Sequence, residues 1–100
     1  MNNYNIKASP ISGKGVFSTR PILENESIGL SFVHQNNTGN PDHDYARTEL
    51  GKFANHSNTP NMQLAVTGKN IYFIATKNIE SGEELTVNYH TFPWEGKREF

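Results

Sequence analysis

The chain has 100 residues, 34% of them hydrophobic, and a formal net charge of -1. That length makes a single domain, spanning 1–100, with a small core, and a homodimer would help so thin a margin. Near-neutral charge excludes a field suited to nucleic acid or to an anionic membrane, and the lack of cysteine excludes disulfides and thiolate metal sites.

Met1–Tyr4 has neither the basic nor the apolar region of a secretion signal, and no stretch is apolar for long enough to span a bilayer. The expected setting is therefore intracellular, which a cysteine-free chain suits. The glycosylation-like triplets at Asn25, Asn36 and Asn55 carry no meaning without secretion.

Tyr4–Ala8 alternates weakly and predicts a short edge strand, which Ser9-Pro10-Ile11-Ser12 ends. Gly13-Lys14-Gly15 has two readings: a tight turn between strands, or backbone that another molecule approaches closely. Val16–Thr19 resumes as a strand, Arg20–Glu26 is a turn-rich connection, and Ser27–Val33 is the next strand. His34–Asn40 is polar and loop-like. Asn40-Pro41 predicts the start of a short helix through Asp42, Asp44, Tyr45 and Ala46, with acidic residues suited to its N-terminus. Leu50-Gly51-Lys52 then leads into the mid-chain stretch.

That stretch is Phe53-Ala54-Asn55-His56-Ser57-Asn58-Thr59-Pro60-Asn61. Phe53 and Ala54 should point inward. The seven polar and proline positions that follow bond the backbone locally and oppose both helix and ladder. The stretch reads either as a solvated connection or as a rigid loop whose amides and backbone N–H groups face a ligand.

Beyond it, Gln63–Thr67 and Asn70–Thr76 form a hairpin across Gly68-Lys69. Lys77–Gly82 is a turn, and Glu83–Asn88 is a strand ending at Tyr89. A tail, 90–100, carries Phe92, Pro93 and Trp94. The whole predicts a mostly β fold with little helix. The four histidines with Asp42 and Asp44 fit no strong metal spacing, so no metal is expected.

One pattern spans the chain. Phe17-Ser18-Thr19-Arg20-Pro21-Ile22 resembles Ile74-Ala75-Thr76-Lys77-Asn78-Ile79, 57 positions later, and the same register pairs Glu26 with Glu83 and Ile28 with Leu85. This predicts two related strand–turn–strand units in two small sheets of rough symmetry, with the mid-chain loop between them, where a crevice can bind a ligand.

Three blocks carry a family resemblance: Gly13-Lys14-Gly15-Val16-Phe17, Phe53 through Asn61, and Gly82-Glu83-Glu84-Leu85-Thr86-Val87-Asn88-Tyr89. In this order they resemble the signature blocks of the SET domain, over about residues 4–94, and most of all the minimal SET proteins of viruses and phages. The resemblance implies several small sheets with a C-terminal pseudoknot. It implies methyl transfer from S-adenosylmethionine to a lysine side chain of a protein, a histone among the candidates. The alternative is a catalytically inactive module that binds cofactor or peptide.

By residue, the resemblance places Lys14, Gly15, Phe53, Asn55, His56 and Trp94 at the cofactor and Tyr89 at the point of methyl transfer, with Tyr45 and Val87 beside the substrate. Taken singly, Tyr89 could equally end a strand with its ring buried, Trp94 could be core, and His56 could be a satisfied loop histidine. This sequence departs from the chromatin enzymes in four ways, the first being Leu50-Gly51 in place of a Gly-Asn pair often seen before the Asn-His-Ser block. Asn58 stands where they often have cysteine, a zinc-binding cysteine cluster is absent, and the insert is reduced to about 34–50. Asp42, Asp44, Glu49, Glu80, Glu83 and Glu84 could favour a basic peptide or could be solvated turns.

The chemistry is consistent. The donor is a sulfonium with an amino-acid end and an adenosine end, which amides, backbone groups and an indole can satisfy. A lysine with a free pKa of about 10.4 arrives charged and must lose its proton. A dry channel beside a sulfonium lowers that pKa, so Tyr89 need only align the amine by hydrogen bonding.

Overall fold

A computed structural model describes residues 3–91. Strand outweighs helix, 48% against 10%, as the alternating pattern predicts. The strands are β1 (Tyr4–Ala8), β2 (Lys14–Ser18), β3 (Ser27–His34), β4 (Tyr45–Arg47), β5 (Asn55–His56), β6 (Met62–Thr67), β7 (Asn70–Ala75) and β8 (Glu84–Val87). Two short helices, α1 (Pro41–Asp44) and α2 (Glu49–Phe53), and a 3-10 turn at Tyr89–Thr91 complete the described chain.

The strands form two four-stranded sheets, ordered β1-β2-β8-β5 and β4-β3-β7-β6. In the first, β8 lies between β2, which it meets antiparallel, and β5, which it meets in parallel with Asn55 opposite Thr86 and His56 opposite Val87. The second sheet is antiparallel throughout, and its β6–β7 hairpin turns at Gly68, whose φ of 61° suits a tight two-residue turn.

The internal repeat reappears as a hydrogen-bond pattern. Ile22 and Ile79, 57 positions apart, exchange both backbone bonds, at 2.9 and 2.7 Å. Ser18 N donates to Glu83 O at 2.9 Å, and its counterpart Ala75 N donates to Glu26 O at 2.9 Å. Gly82 N bonds Ser18 O, while Asn25 N bonds Ala75 O. The two turns share even their left-handed residue, Asn25 at φ 71° and Gly82 at φ 88°. Each unit's strand end therefore docks on the other unit's turn. The symmetry is a direct interlock at the centre of the fold, with Ile22 and Ile79 buried in the core.

The core gathers both sheets and α2. Phe32 and Phe73 meet edge to face at 6.1 Å, and Val16, Leu50, Ile71 and Leu85 are fully buried beside them. Burial of such side chains is the main favourable term in a domain this small.

Several expectations need correction. The helix begun at Asn40-Pro41 ends at Asp44, because Tyr45 and Ala46 pair with His34 and Val33 as strand β4. Leu50-Gly51-Lys52 is the body of α2. Thr48 caps that helix, its hydroxyl oxygen accepting from Gly51 N at 3.3 Å, and Glu49 and Lys52 match the dipole at its two ends. Glycine sits inside this helix because a Cβ at Gly51 would run into the backbone carbonyl of Ser31. Asn55-His56 does not oppose the ladder; it forms β5. Ala54 points inward, whereas Phe53 stays half-buried with the Lys52 ammonium 5.2 Å from its ring centre. No helix among the described residues is long and apolar enough to cross a membrane, and no metal-binding cluster occurs among them.

Candidate functional site

The site is built where the loop after β1, strand β5 and strand β8 converge on Asn55. This side chain is nine-tenths buried. Its Nδ2 lies 3.1 Å from Ser12 O, 3.3 Å from Lys14 O, 3.1 Å from Ser9 Oγ and 3.0 Å from a Glu84 carboxylate oxygen. Two of those partners are carbonyls, which only accept, so the amide orientation is fixed and Oδ1 faces away from them. Oδ1 has no hydrogen-bond partner among the described residues, which leaves a buried acceptor for a donor on a ligand.

Gly15 sits against this cluster. It is buried and in strand β2, so the turn of the Gly13-Lys14-Gly15 block is made by Gly13, at φ 45°. A Cβ at Gly15 would come within 2.9 Å of Ser9 Cβ and 3.1 Å of Asn55 Nδ2, and closer still to the Glu84 carboxylate. Glycine is required there by the packing of this chain's own side chains. Lys14 is exposed and contributes its carbonyl to Asn55.

His56 follows on β5 and reaches the other end of the site. Its Nδ1 accepts the backbone N–H of Tyr89 at 3.0 Å, and its Nε2 lies 3.1 Å from Asn58 Oδ1. The neutral tautomer with the proton on Nε2 satisfies both contacts. The rings of His56 and Tyr89 lie 5.0 Å apart, and His90 stands edge-on to His56 at 5.6 Å.

Tyr89 is held at two points, by its backbone on His56 and by its hydroxyl, which donates to Ala54 O at 3.0 Å. Burial pushes its pKa up and the Arg47 charge only partly opposes this, so the group stays a phenol near neutral pH. With the hydroxyl proton on Ala54, the oxygen can meet any further donor only as an acceptor.

The structure therefore gathers Lys14, Gly15, Asn55, His56 and Tyr89 about the junction of β2, β5 and β8. Val87 is a core side chain, 1% exposed. Tyr45 packs against the core from β4 with its ring edge-on to His34 at 5.2 Å. Phe53 lies at the end of α2, one residue from Ala54. Trp94 and the expected C-terminal pseudoknot lie outside the described residues.

Three residues that matter to this junction had no role at it assigned from sequence. Ser9 and Glu84 hold Asn55. Asn61, 6% exposed, uses its side-chain amide as a short piece of strand: Nδ2 donates to Glu84 O at 2.8 Å and Oδ1 accepts from Thr86 N at 2.8 Å. Its Nδ2 also reaches the Glu83 carboxylate at 3.0 Å. The acidic residues thus divide: Glu83 and Glu84 serve β8 and its neighbours, and Asp44 accepts from Thr38 N, Thr38 Oγ1 and Gly39 N to close the short insert. Those bonds hold the Asp44 carboxyl below the usual range.

Fold and site together define a small β protein with a polar, largely buried junction around Asn55 and a tyrosine at its end. The profile of the SET domain matches residues 30–90, and the chain belongs to that family. Among solved structures, a candidate histone methyltransferase from Plasmodium falciparum is similar, at 22% identity and a TM-score of 0.69, over 94% of this chain and 98% of that one. A humanised Polycomb Repressive Complex 2 from Chaetomium thermophilum bound to the inhibitor GSK126 is similar at 21% identity and a TM-score of 0.73, over 92% of this chain but 15% of that chain. The same fungal complex without ligand, carrying two mutations, gives 21% and 0.69. At these identities the likeness is one of fold. No curated protein matches the sequence.

Proposed function

We propose that this chain transfers a methyl group from S-adenosylmethionine to the side-chain amine of lysine in a protein. The observation that carries the reading is the pairing, on one junction, of a buried amide with an open acceptor at Asn55 and a doubly anchored phenol at Tyr89. Membership of the SET domain family supports it. The donor, when bound, supplies an electrophilic methyl on a sulfonium.

The chain's residues then have separable tasks. Asn55 Oδ1 accepts from the ammonium at the donor's amino-acid end, and the backbone around Lys14, Gly15 and His56 lines the donor. Phe53 and Trp94 are apolar candidates for its adenosine end. Tyr89, its own proton given to Ala54, accepts an N–H of the incoming lysine amine. Arg47 is close enough to Tyr89 to draw its pKa down against burial, and that same positive charge disfavours a lysine ammonium at the hydroxyl. That repulsion favours the neutral, nucleophilic amine. Tyr45 flanks the substrate from β4, whereas Val87, as a core side chain, does not face it.

The test is calorimetric titration with S-adenosylmethionine of the wild-type chain and of Asn55→Ala. Saturable one-to-one binding that the substitution weakens about tenfold or more supports the reading. Equal binding by a folded Asn55→Ala variant would remove Asn55 from the site.

A further inference from the structure

We infer that Glu84 and Ser9 are positioning residues for a cationic amino-acid end of the ligand, acting through the Asn55 amide. The inference rests on the cofactor reading above and adds two residues and a charge to it.

The geometry is a relay. Ser9 Oγ is fully used: it donates to the Glu84 carboxylate, at 2.9 and 2.7 Å from its two oxygens, and accepts from Ile11 N at 3.0 Å and from Asn55 Nδ2 at 3.1 Å. Asn55 Nδ2 in turn lies 3.0 Å from the same carboxylate. Glu84 is half-buried, and among the described residues no lysine or arginine pairs with it. Among the described residues its charge is met by a hydroxyl and an amide.

A carboxylate bonded to the N–H side of an amide polarises that amide and makes its oxygen a stronger acceptor. The polarised oxygen here is Asn55 Oδ1, the buried acceptor without a partner among the described residues. The arrangement matches a cation at Oδ1: carboxylate, amide N–H, amide oxygen, ammonium. The side chain of Glu84 comes from β8, 75 positions from Ser9, and Gly15 leaves the room for it. A neutral ligand end would gain little from this charge.

The experiment compares two ligands that share the adenosine and differ in the amino-acid end. S-adenosylhomocysteine has the ammonium, and methylthioadenosine lacks the whole amino-acid end. We expect Glu84→Gln to weaken S-adenosylhomocysteine about tenfold while methylthioadenosine stays within about twofold, the loss of one charge-assisted contact. Ser9→Ala should give the same selectivity, at several-fold. Equal weakening of both ligands, which a merely structural role would produce, overturns the inference, as does no weakening of either.

A second readout needs no ligand. The Asn55 side-chain amide protons, followed by NMR in the free protein, should exchange slowly in the wild type and faster, with shifted resonances, in Ser9→Ala; an unmoved amide overturns the inference even if Glu84→Gln fails to fold. A folded wild-type chain that binds neither ligand overturns the cofactor reading and this inference with it. A chain that binds both, with Glu84→Gln changing neither, overturns the inference alone.

Discussion

Replacing Asn61 with alanine tests how β8, the strand that leads to Tyr89, is held. The side chain supplies two bonds to the backbone of β8, at Glu84 O and Thr86 N, both 2.8 Å, and one to the Glu83 carboxylate. Glu83 is exposed, so water replaces its bond at little cost. Thr86 N is buried and Glu84 O is half-buried; leaving them unsatisfied costs about 1–3 kcal/mol for Thr86 N and about 1 kcal/mol for Glu84 O, which water can reach. The sum is about 2–4 kcal/mol, a large part of the roughly 5–15 kcal/mol that holds a domain together. For a chain of this size that lowers Tm by roughly 10–30 °C. Urea and thermal denaturation followed by circular dichroism measure it. Asn61→Asp is the control. It keeps an acceptor for Thr86 N but sets a carboxylate beside Glu83 and the Glu84 carbonyl, which raises its folded pKa above the unfolded value. Its stability is then fullest below the unfolded pKa and is lost as pH rises through the folded one. A loss under about 0.5 kcal/mol in Asn61→Ala would refute the idea that a side chain stands in for a strand here.

Tyr89→Phe should lower turnover about a hundredfold, about 2.7 kcal/mol of barrier, and leave affinity for S-adenosylmethionine within about twofold, because the backbone bond to His56 still places the ring; single-turnover kinetics beside calorimetry separates the two. Gly82→Ala should cost about 1–2 kcal/mol by its left-handed φ alone, since a Cβ there meets nothing within 4 Å; chemical denaturation reads it, and a neutral result would put the turn in another conformation. Asp44 has a lowered pKa, so its contribution to stability is present above the unfolded value and lost as pH falls through the folded one. Asp44→Asn should therefore flatten the fall in urea midpoint below about pH 4; an unchanged profile counts against the Thr38 and Gly39 bonds as its cause.

What the sequence made legible was what repeats locally or in register. Alternation located β1, β2, β3, β6, β7 and β8 but not β4 or β5, Gly68 located the hairpin, and the 57-residue repeat marked two related units, whose interlock through Ile22 and Ile79 it did not show. Helix α2 escaped because five residues are too few to show a period and one of them is Gly51, tolerated only for its contact with the Ser31 carbonyl. Its cap, Thr48, also bonds Leu30 O and Ser31 O, partners 18 and 17 positions away. The holders of the site escaped for the same reason. Ser9 meets Glu84 across 75 positions and Asn61 meets Thr86 across 25, and nothing in either neighbourhood marks the other. Asn55, His56 and Tyr89 were readable only as members of three blocks in order; singly, each is an ordinary loop or strand-end residue.

The most direct test of the account is transfer of a labelled methyl group from S-adenosylmethionine to a panel of lysine-containing proteins and basic, histone-like peptides, read by mass spectrometry at the modified residue. The account predicts label on a lysine side chain with the wild-type chain and labelling about a hundredfold slower with Tyr89→Phe. A folded wild-type chain that binds S-adenosylmethionine yet labels nothing, or label that persists unchanged in Tyr89→Phe, would contradict it.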